Sequence, residues 1–161
     1  MSTPQHLIDS WLALCHGNPR SARDEWQTQG VALIPMGYRL CAVRLRGDLV
    51  RAAVGSDDEN EVAAALADRL GGAVISDHRS VITDRYYALI NTHAGLVWDL
   101  EEDAPCLGEG VFLGVPALQR RRPPGAYWAV PPRYEGDLCR PESVRLLVAD
   151  GLRELEASRC P

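Results

Sequence analysis

Three consecutive arginines, Arg120 to Arg122, are the most conspicuous chemical feature of the sequence. They lie in the stretch GEGVFLGVPALQRRRPPGAYWAV, between an apolar run and the aromatic pair Tyr127 and Trp128. A guanidinium group donates two parallel hydrogen bonds to a phosphate, and an aromatic ring offers a surface on which a nucleobase stacks. The stretch therefore predicts a loop that contacts a phosphate backbone, with a base stacked on Tyr127 or Trp128. The alternative interpretation is a solvated basic turn beside core aromatic residues.

Two further arginines lie in short apolar segments that are typical of strands. Arg44 lies in RLCAVRL, and Arg85 begins RYYALI. Both are candidates for an anion pocket, and the alternative is an arginine at a strand edge that faces water or an acidic partner. Tyr86 and Tyr87 are adjacent, so one of them faces each side of a strand. The outward-facing ring is a candidate contact for a ligand, and the alternative is an ordinary tyrosine on the surface of the sheet.

The five cysteines form no recognisable metal or disulfide pattern. None belongs to a CxxC pair, and an odd number without a secretory signal does not fit a disulfide framework. We expect no metal site, small core side chains at most of these positions, and an exposed thiol at Cys160. A nucleophilic Cys106 served by Asp77 and His78 has no support in the spacing.

The composition predicts one globular domain of ordinary apolar content. All 17 basic residues of the 161-residue chain are arginine, and the net charge is −5. This balance argues against a protein coated in nucleic acid, although it leaves room for one local basic groove. No apolar run reaches the ~20 residues of a membrane span, and the N-terminus lacks the pattern of a signal peptide. We therefore expect a cytoplasmic protein without a membrane partner.

The hydrophobic periodicity predicts an α+β fold, in which helices pack on one face of a small mixed or antiparallel sheet. We interpret 1–25 as an N-terminal helix with a polar connector at 18–25, and 26–161 as the main unit of a single domain. The predicted helical segments are 4–16, 47–55, 56–72 and 140–157, with a cap at Ser56 or Asp57 for the third. The predicted strands are 30–37, 39–45, 73–77, 85–92, 111–115 and 126–130.

The order of these elements and the closing stretch resemble the bifunctional primase/polymerase (prim-pol) domain. That family closes its catalytic core with a glycine-bounded apolar strand, a proline turn, a polar loop and an aromatic strand. These features correspond here to Gly110, Val111–Val115, Pro116, the arginine loop and Tyr127–Trp128. GVALIPMGYRLCAVRL lies where the family has its first core strands, and GGAVISDHRSVITDRYYALI where it has a hairpin. The resemblance covers 26–150, is closest to short stand-alone members from high-GC bacteria, and implies an RRM-like core.

The departures from this family pattern concern its catalytic residues. A polymerase of this type needs two acids one residue apart on the first core strand, and a third acid before the closing turn. Their carboxylates hold the two Mg²⁺ ions that align a triphosphate with a 3′-oxygen. RLCAVRL carries Cys41, Val43 and Arg44 instead, while Cys106 stands near the third position and Glu109 is the acid close by. Thiol, valine and guanidinium cannot replace these hard oxygen ligands.

We therefore predict a catalytically inactive prim-pol-like domain that binds nucleic acid or a nucleotide and needs no cofactor. The resemblance implies an accessory or regulatory role in replication of a plasmid or integrated element, with single-stranded DNA, a nucleotide or a replication protein as partner. Two alternatives stay open: a protein-interaction module without nucleotide contact, and an enzyme of unrelated chemistry that uses a cysteine. The predicted phosphate contacts are Arg44, Arg85, Arg120, Arg121 and Arg122, and the predicted stacking residues are Tyr86, Tyr127 and Trp128.

Overall fold

The computed structural model describes residues 4–78 and 84–159, which form six helices and seven strands. The expected exposed thiol at Cys160 lies outside the described residues. The helices are α1 (Pro4–His16), α2 (Pro19–Gln29), α3 (Gly47–Val54), α4 (Glu59–Leu70), α5 (Thr92–Leu96) and α6 (Pro141–Arg159). The strands are β1 (Val31–Pro35), β2 (Cys41–Arg46), β3 (Val74–His78), β4 (Arg85–Ile90), β5 (Cys106–Leu107), β6 (Phe112–Pro116) and β7 (Gly125–Val130).

The capping residues at the two ends of helix α4 determine where it begins and ends. The Asp58 carboxylate accepts a hydrogen bond of 3.0 Å from the backbone N–H of Glu61, which satisfies a donor at the open end of the helix. The helix ends at Gly71, whose φ of 70° lies in the left-handed region that favours glycine. The predicted helix is thus present, but its cap is Asp58 and not Ser56 or Asp57.

The segment after α1 is a second helix, and the polar connector predicted over 18–25 is therefore wrong. The side chain of Asn18 accepts a hydrogen bond of 3.2 Å from the backbone N–H of Ser21, and Pro19 occupies the first turn. Ala22 and Trp26, four residues apart, are the buried residues of α2. Apart from Pro19, its other residues are polar, so Ala22 and Trp26 are the two positions that fix the packing of a helix whose composition is typical of a loop.

The strands form a five-stranded antiparallel sheet in the order β5-β2-β4-β3-β7 and a two-stranded antiparallel sheet of β1 and β6. In the larger sheet, β4 lies between β2 and β3, although α3 and α4 separate those two strands in the chain. This arrangement is a split β-α-β unit. The predicted α+β fold with an antiparallel sheet is confirmed.

Both faces of the five-stranded sheet are covered, whereas the sequence predicted helices on one face. Helices α3, α4 and α6 pack on the face that carries Val43 and Ala88. Helices α1 and α2, together with the small sheet, pack on the face that carries Ala42 and Leu89. All of β4 from Tyr86 onward is buried. It therefore lacks the alternation of buried and exposed residues that is typical of a sheet with one face open to solvent.

Helix α6 covers the core on the face of the sheet that carries Val43 and Ala88. Val144, Leu147 and Val148 are buried in it, while most other side chains of the helix face water. Gly151 permits a close approach to α3, because a Cβ there would lie 2.5 Å from the carbonyl oxygen of Leu49. In residues 4–78 and 84–159, no helix combines the length and apolar character needed to cross a membrane.

Candidate anion-binding cleft

A cleft of about 750 Å³ opens between the five-stranded sheet and the two-stranded β1–β6 sheet. Its floor follows one row of the strand register, in which Arg44 pairs with Tyr87, and Tyr87 pairs with Ile75. Its wall is the outer face of the small sheet, including Leu33 and Phe112. A cavity of this size, which combines apolar side chains with a few convergent polar groups, is typical of a small-molecule site.

Arg44 brings a positive charge to the floor of this cleft. Its backbone N–H donates a hydrogen bond of 2.9 Å to the carbonyl oxygen of Pro105, which holds the strand edge in place. The side chain is half-buried and forms no ion pair or hydrogen bond with any described residue. A guanidinium that is partly removed from water without a partner is costly, and a bound anion would offset that cost.

Arg120 is the second cation in the cleft, and the loop around it holds it rigidly. Its Nε donates a hydrogen bond of 3.0 Å to the carbonyl oxygen of Ala126, and its Nη2 one of 2.9 Å to that of Pro124. Its Nη1 lies against Gly30, where a Cβ would come within 2.8 Å. The guanidinium therefore stabilises the turn before β7. The same hydrogen bonds fix the orientation of its charge at the cleft before any ligand binds.

The magnesium site implied by the family resemblance does not fit the residues of this cleft. Of residues 4–78 and 84–159, Arg44, Arg120 and Asp77 are the charged ones that line it, for a formal charge of +1. Asp77 is thus its one carboxylate, and a pair of Mg²⁺ ions needs several oxygen ligands. Among residues 4–78 and 84–159, no group of three or more His, Cys, Asp or Glu side chains could hold a metal ion.

The other two arginines of the loop face a different pocket, on the opposite face of the sheet. Arg121 and Arg122 line a pocket of about 490 Å³ together with Glu59, Tyr86 and Tyr127. Arg121 donates a hydrogen bond of 2.8 Å from Nε to the carbonyl oxygen of Leu118. The three consecutive arginines are therefore divided between two sites, and only Arg120 shares the cleft with Arg44.

The two tyrosines of that second pocket are neutral hydroxyl groups at ordinary pH. Burial raises the pKa of Tyr86 to about 12, and the neighbouring Tyr127 acts in the same direction. Burial also raises the pKa of Tyr127, although its hydrogen bond with Ser76 acts in the opposite direction. Both residues are almost fully buried, so little of either side chain is open to a molecule in the pocket.

Trp128 lies in the core, and the expected stacking of a ligand on its ring does not fit this position. Only 2% of the residue is exposed. Its indole N–H donates a hydrogen bond of 2.9 Å to the carbonyl oxygen of Pro116, which ties β7 to the end of β6. Trp128 also borders the pocket of Arg121 and Arg122, but the ring packs in the core under α1, α2 and the small sheet, so almost none of it is open to a ligand.

Arg85 is exposed at the start of β4, and it is not among the residues that line the cleft. Its Cα partners are Arg46 on one side and Asp77 on the other. The tyrosine of β4 that faces the cleft is Tyr87, not the predicted Tyr86. The period-2 alternation of the strand separates the two rings, but the register that places one of them beside Arg44 comes from long-range pairing.

The structure separates the residues of the hypothetical cysteine nucleophile. Cys106 on β5 and His78 on β3 lie two intervening strands apart in the sheet, a distance of about 14 Å at the usual strand spacing. Burial raises the pKa of the Cys106 thiol to about 12, with the adjacent Cys41 acting in the same direction. The reactive form of a cysteine is the thiolate, so Cys106 is a poor nucleophile at neutral pH.

We expect iodoacetamide to alkylate Cys106 in the native protein at least about a hundredfold more slowly at pH 8 than in the urea-unfolded chain. The native rate should rise steadily with pH up to about pH 10, because a raised pKa leaves the thiol protonated until the solution becomes strongly basic. Mass spectrometry of the peptide that contains Cys106 measures both rates. Fast native labelling at pH 7 would contradict this and favour a cysteine-dependent enzyme.

Sequence reasoning missed Leu33 and Phe112 as residues of the cleft, named Asp77 only in the cysteine-nucleophile hypothesis, and chose Tyr86 where Tyr87 faces the cleft. Phe112 had a signal of its own, since it is the single phenylalanine of the chain and lies on a strand next to the arginine loop. No protein-family model, curated protein or solved structure matches this chain, which leaves its primase/polymerase resemblance as a prediction.

Proposed function

We propose that the chain binds a nucleoside phosphate in the cleft between its two sheets, either as a free nucleotide or as the end of a single-stranded nucleic acid. In this proposal it is an inactive prim-pol-like domain with an accessory or regulatory role in replication. The support is chemical: the cleft combines two arginines with a mainly apolar wall, and a nucleotide combines an anion with a flat, weakly polar ring.

The single observation that carries the proposal is the guanidinium of Arg44 on the floor of the cleft, which has no ion pair or hydrogen bond with a described residue. One phosphate group can accept two hydrogen bonds from the Arg44 guanidinium at once. Tyr87, its cross-strand partner, lies beside it on the same floor, and Arg120 adds a second positive charge. With one carboxylate in the cleft, these residues suit binding and not the two-metal chemistry of nucleotide joining.

Arg44→Gln should weaken the binding of a nucleoside triphosphate and of a short single-stranded DNA by about tenfold to a hundredfold. The reason is that hydrogen bonds to a charged group contribute about 1.5–3 kcal/mol each, and 1.4 kcal/mol corresponds to a tenfold change. Isothermal titration calorimetry at two salt concentrations measures the effect. The affinity of the unaltered protein should also fall as salt rises.

Arg20→Gln is a matched control for this substitution. Arg20 is exposed and likewise has no ion pair with a described residue. It lies nine residues before Gln29, the one residue of α2 that lines the cleft, which is about 14 Å along a helix. The proposal fails if neither ligand binds the unaltered protein in a saturable, salt-sensitive way, or if the two variants weaken binding equally.

A second candidate function, a protein-interaction module, is favoured by exposed apolar side chains outside the cleft. Leu96 and Val97, at the end of α5, are 85% and 65% exposed, and Leu146 on α6 is 62% exposed. Apolar surface of this kind marks protein contacts in many folded chains. A partner whose binding depends on Leu96 and Val97, and ignores Arg44→Gln, would support this function instead.

A further inference from the structure

The wall of the cleft is made of apolar side chains that are unusually open to water. Phe112 is 61% exposed and Leu33 is 55% exposed, and both line the cleft on the outer face of the small sheet. Aromatic side chains contribute most to stability when buried, and Phe112 is the single phenylalanine of the chain. The one ring of this type is thus placed where it adds little to either core.

The strand register explains why this ring is presented to the cleft. On β6 the side chains of Leu113 and Val115 point into the core under α1 and α2, so those of Phe112 and Gly114 belong to the opposite face. Gly114 faces Leu33 across the strand pair. A Cβ at Gly114 would lie 2.9 Å from Val31 Cγ1, and glycine here leaves the surface beside Phe112 open.

The geometry points to Phe112 as the residue on which the base of the bound nucleotide stacks, with Leu33 beside it. This inference rests on the proposed function, and it places the stacking on an exposed ring in the cleft, whereas Trp128 is almost fully buried. Arg44, Arg120 and Tyr87 lie on the opposing part of the same cleft. A nucleotide in the cleft would therefore place its phosphate beside the arginines and its base against the apolar wall. Stacking on an aromatic ring accepts any base, so the site should select for a base but not for its identity.

The test compares ligands that have a base with a ligand that has none. The four deoxynucleoside triphosphates and inorganic tripolyphosphate are titrated separately into the unaltered protein and into Phe112→Ala. We expect Phe112→Ala to weaken each of the four nucleotides by about tenfold and to change tripolyphosphate binding less than twofold. Phe112→Tyr, which keeps an aromatic ring, should restore nucleotide binding to within about twofold.

Two controls keep structural effects apart from stacking. Phe112 is largely exposed, so Phe112→Ala should leave the thermal unfolding midpoint unchanged. Leu96→Ala removes another exposed apolar side chain outside the cleft and should leave the binding of every ligand unchanged. Light scattering of the unaltered protein and of Phe112→Ala shows whether the apolar wall is instead covered by a second copy of the chain.

The outcomes separate this inference from the function on which it rests. If nucleotides bind and Arg44→Gln weakens them while Phe112→Ala does not, the cleft is still a nucleotide site and the stacking role of Phe112 is wrong. Equal losses for nucleotides and tripolyphosphate in Phe112→Ala would also overturn it. So would a dimer of the unaltered protein that Phe112→Ala dissociates. If no ligand binds the unaltered protein, the proposed function itself fails.

Discussion

Replacing Trp128 with alanine should lower the free energy of unfolding by about 3–5 kcal/mol. The ring is one of the largest fully buried side chains of the protein, and its removal leaves a cavity between the large sheet and β6. It also removes the hydrogen bond that the carbonyl oxygen of Pro116 accepts from the indole N–H. Urea unfolding followed by circular dichroism measures the change.

Trp128→Phe separates the two contributions of this residue. The smaller aromatic ring keeps most of the apolar contacts and loses the hydrogen bond, so we expect a loss of about 1–3 kcal/mol. A Trp128→Ala variant that kept its stability but lost nucleotide affinity would contradict the core position of the ring. It would restore Trp128 as the stacking residue that the sequence predicted.

Replacing Arg51 with methionine should destabilise the protein by about 3–5 kcal/mol, because it leaves a buried carboxylate unpaired. Arg51 Nη1 lies 2.5 Å from Asp84 Oδ2 in a salt bridge between α3 and the start of β4. Only 6% of the Asp84 side chain is exposed. The same stretch of backbone is bound to α3, since the carbonyl oxygen of Asp84 accepts a hydrogen bond of 3.1 Å from Gly47.

A double variant and an exposed ion pair are the controls for Arg51→Met. Arg51→Met combined with Asp84→Asn removes both charges and should recover a large part of the loss. Arg153→Met breaks the pair with Asp150, in which the Arg153 side chain is 70% exposed, and should cost less than about 1 kcal/mol. Equal effects of Arg51→Met and Arg153→Met on urea unfolding would show that burial of Asp84 does not matter.

The local signals in the sequence predicted the helices and strands well where they were strong. Gly71 marks the end of α4, and the short apolar runs in RLCAVRL and RYYALI indicate β2 and β4. The signal was weak for α2, where Ala22 and Trp26 are the buried residues of an otherwise polar segment. It was absent for the two-residue strand β5, which is a strand only because it pairs with β2.

The candidate site was predicted in its chemistry but not in its arrangement. Arginines and aromatic residues do line two pockets, but Arg120 belongs to one of them and Arg121 and Arg122 to the other. The prediction from the sequence assumed that residues adjacent in the chain also share one site in the fold. The loop before β7 lies at the edge of the five-stranded sheet, so Arg120 lines a pocket on one face of the sheet while Arg121 and Arg122 line the pocket on the other face.

The amino-acid sequence by itself determined the α+β class, most helices and strands, and the lack of paired acids on β2. These follow from periodicity, capping residues and composition, which act over a few neighbouring positions. Only the tertiary structure decided that Trp128 is buried, that Tyr87 lies beside Arg44, and that Phe112 faces the same cleft. The physical reason is that strand order and register come from contacts between distant segments, and a shift of one residue turns every side chain to the other face.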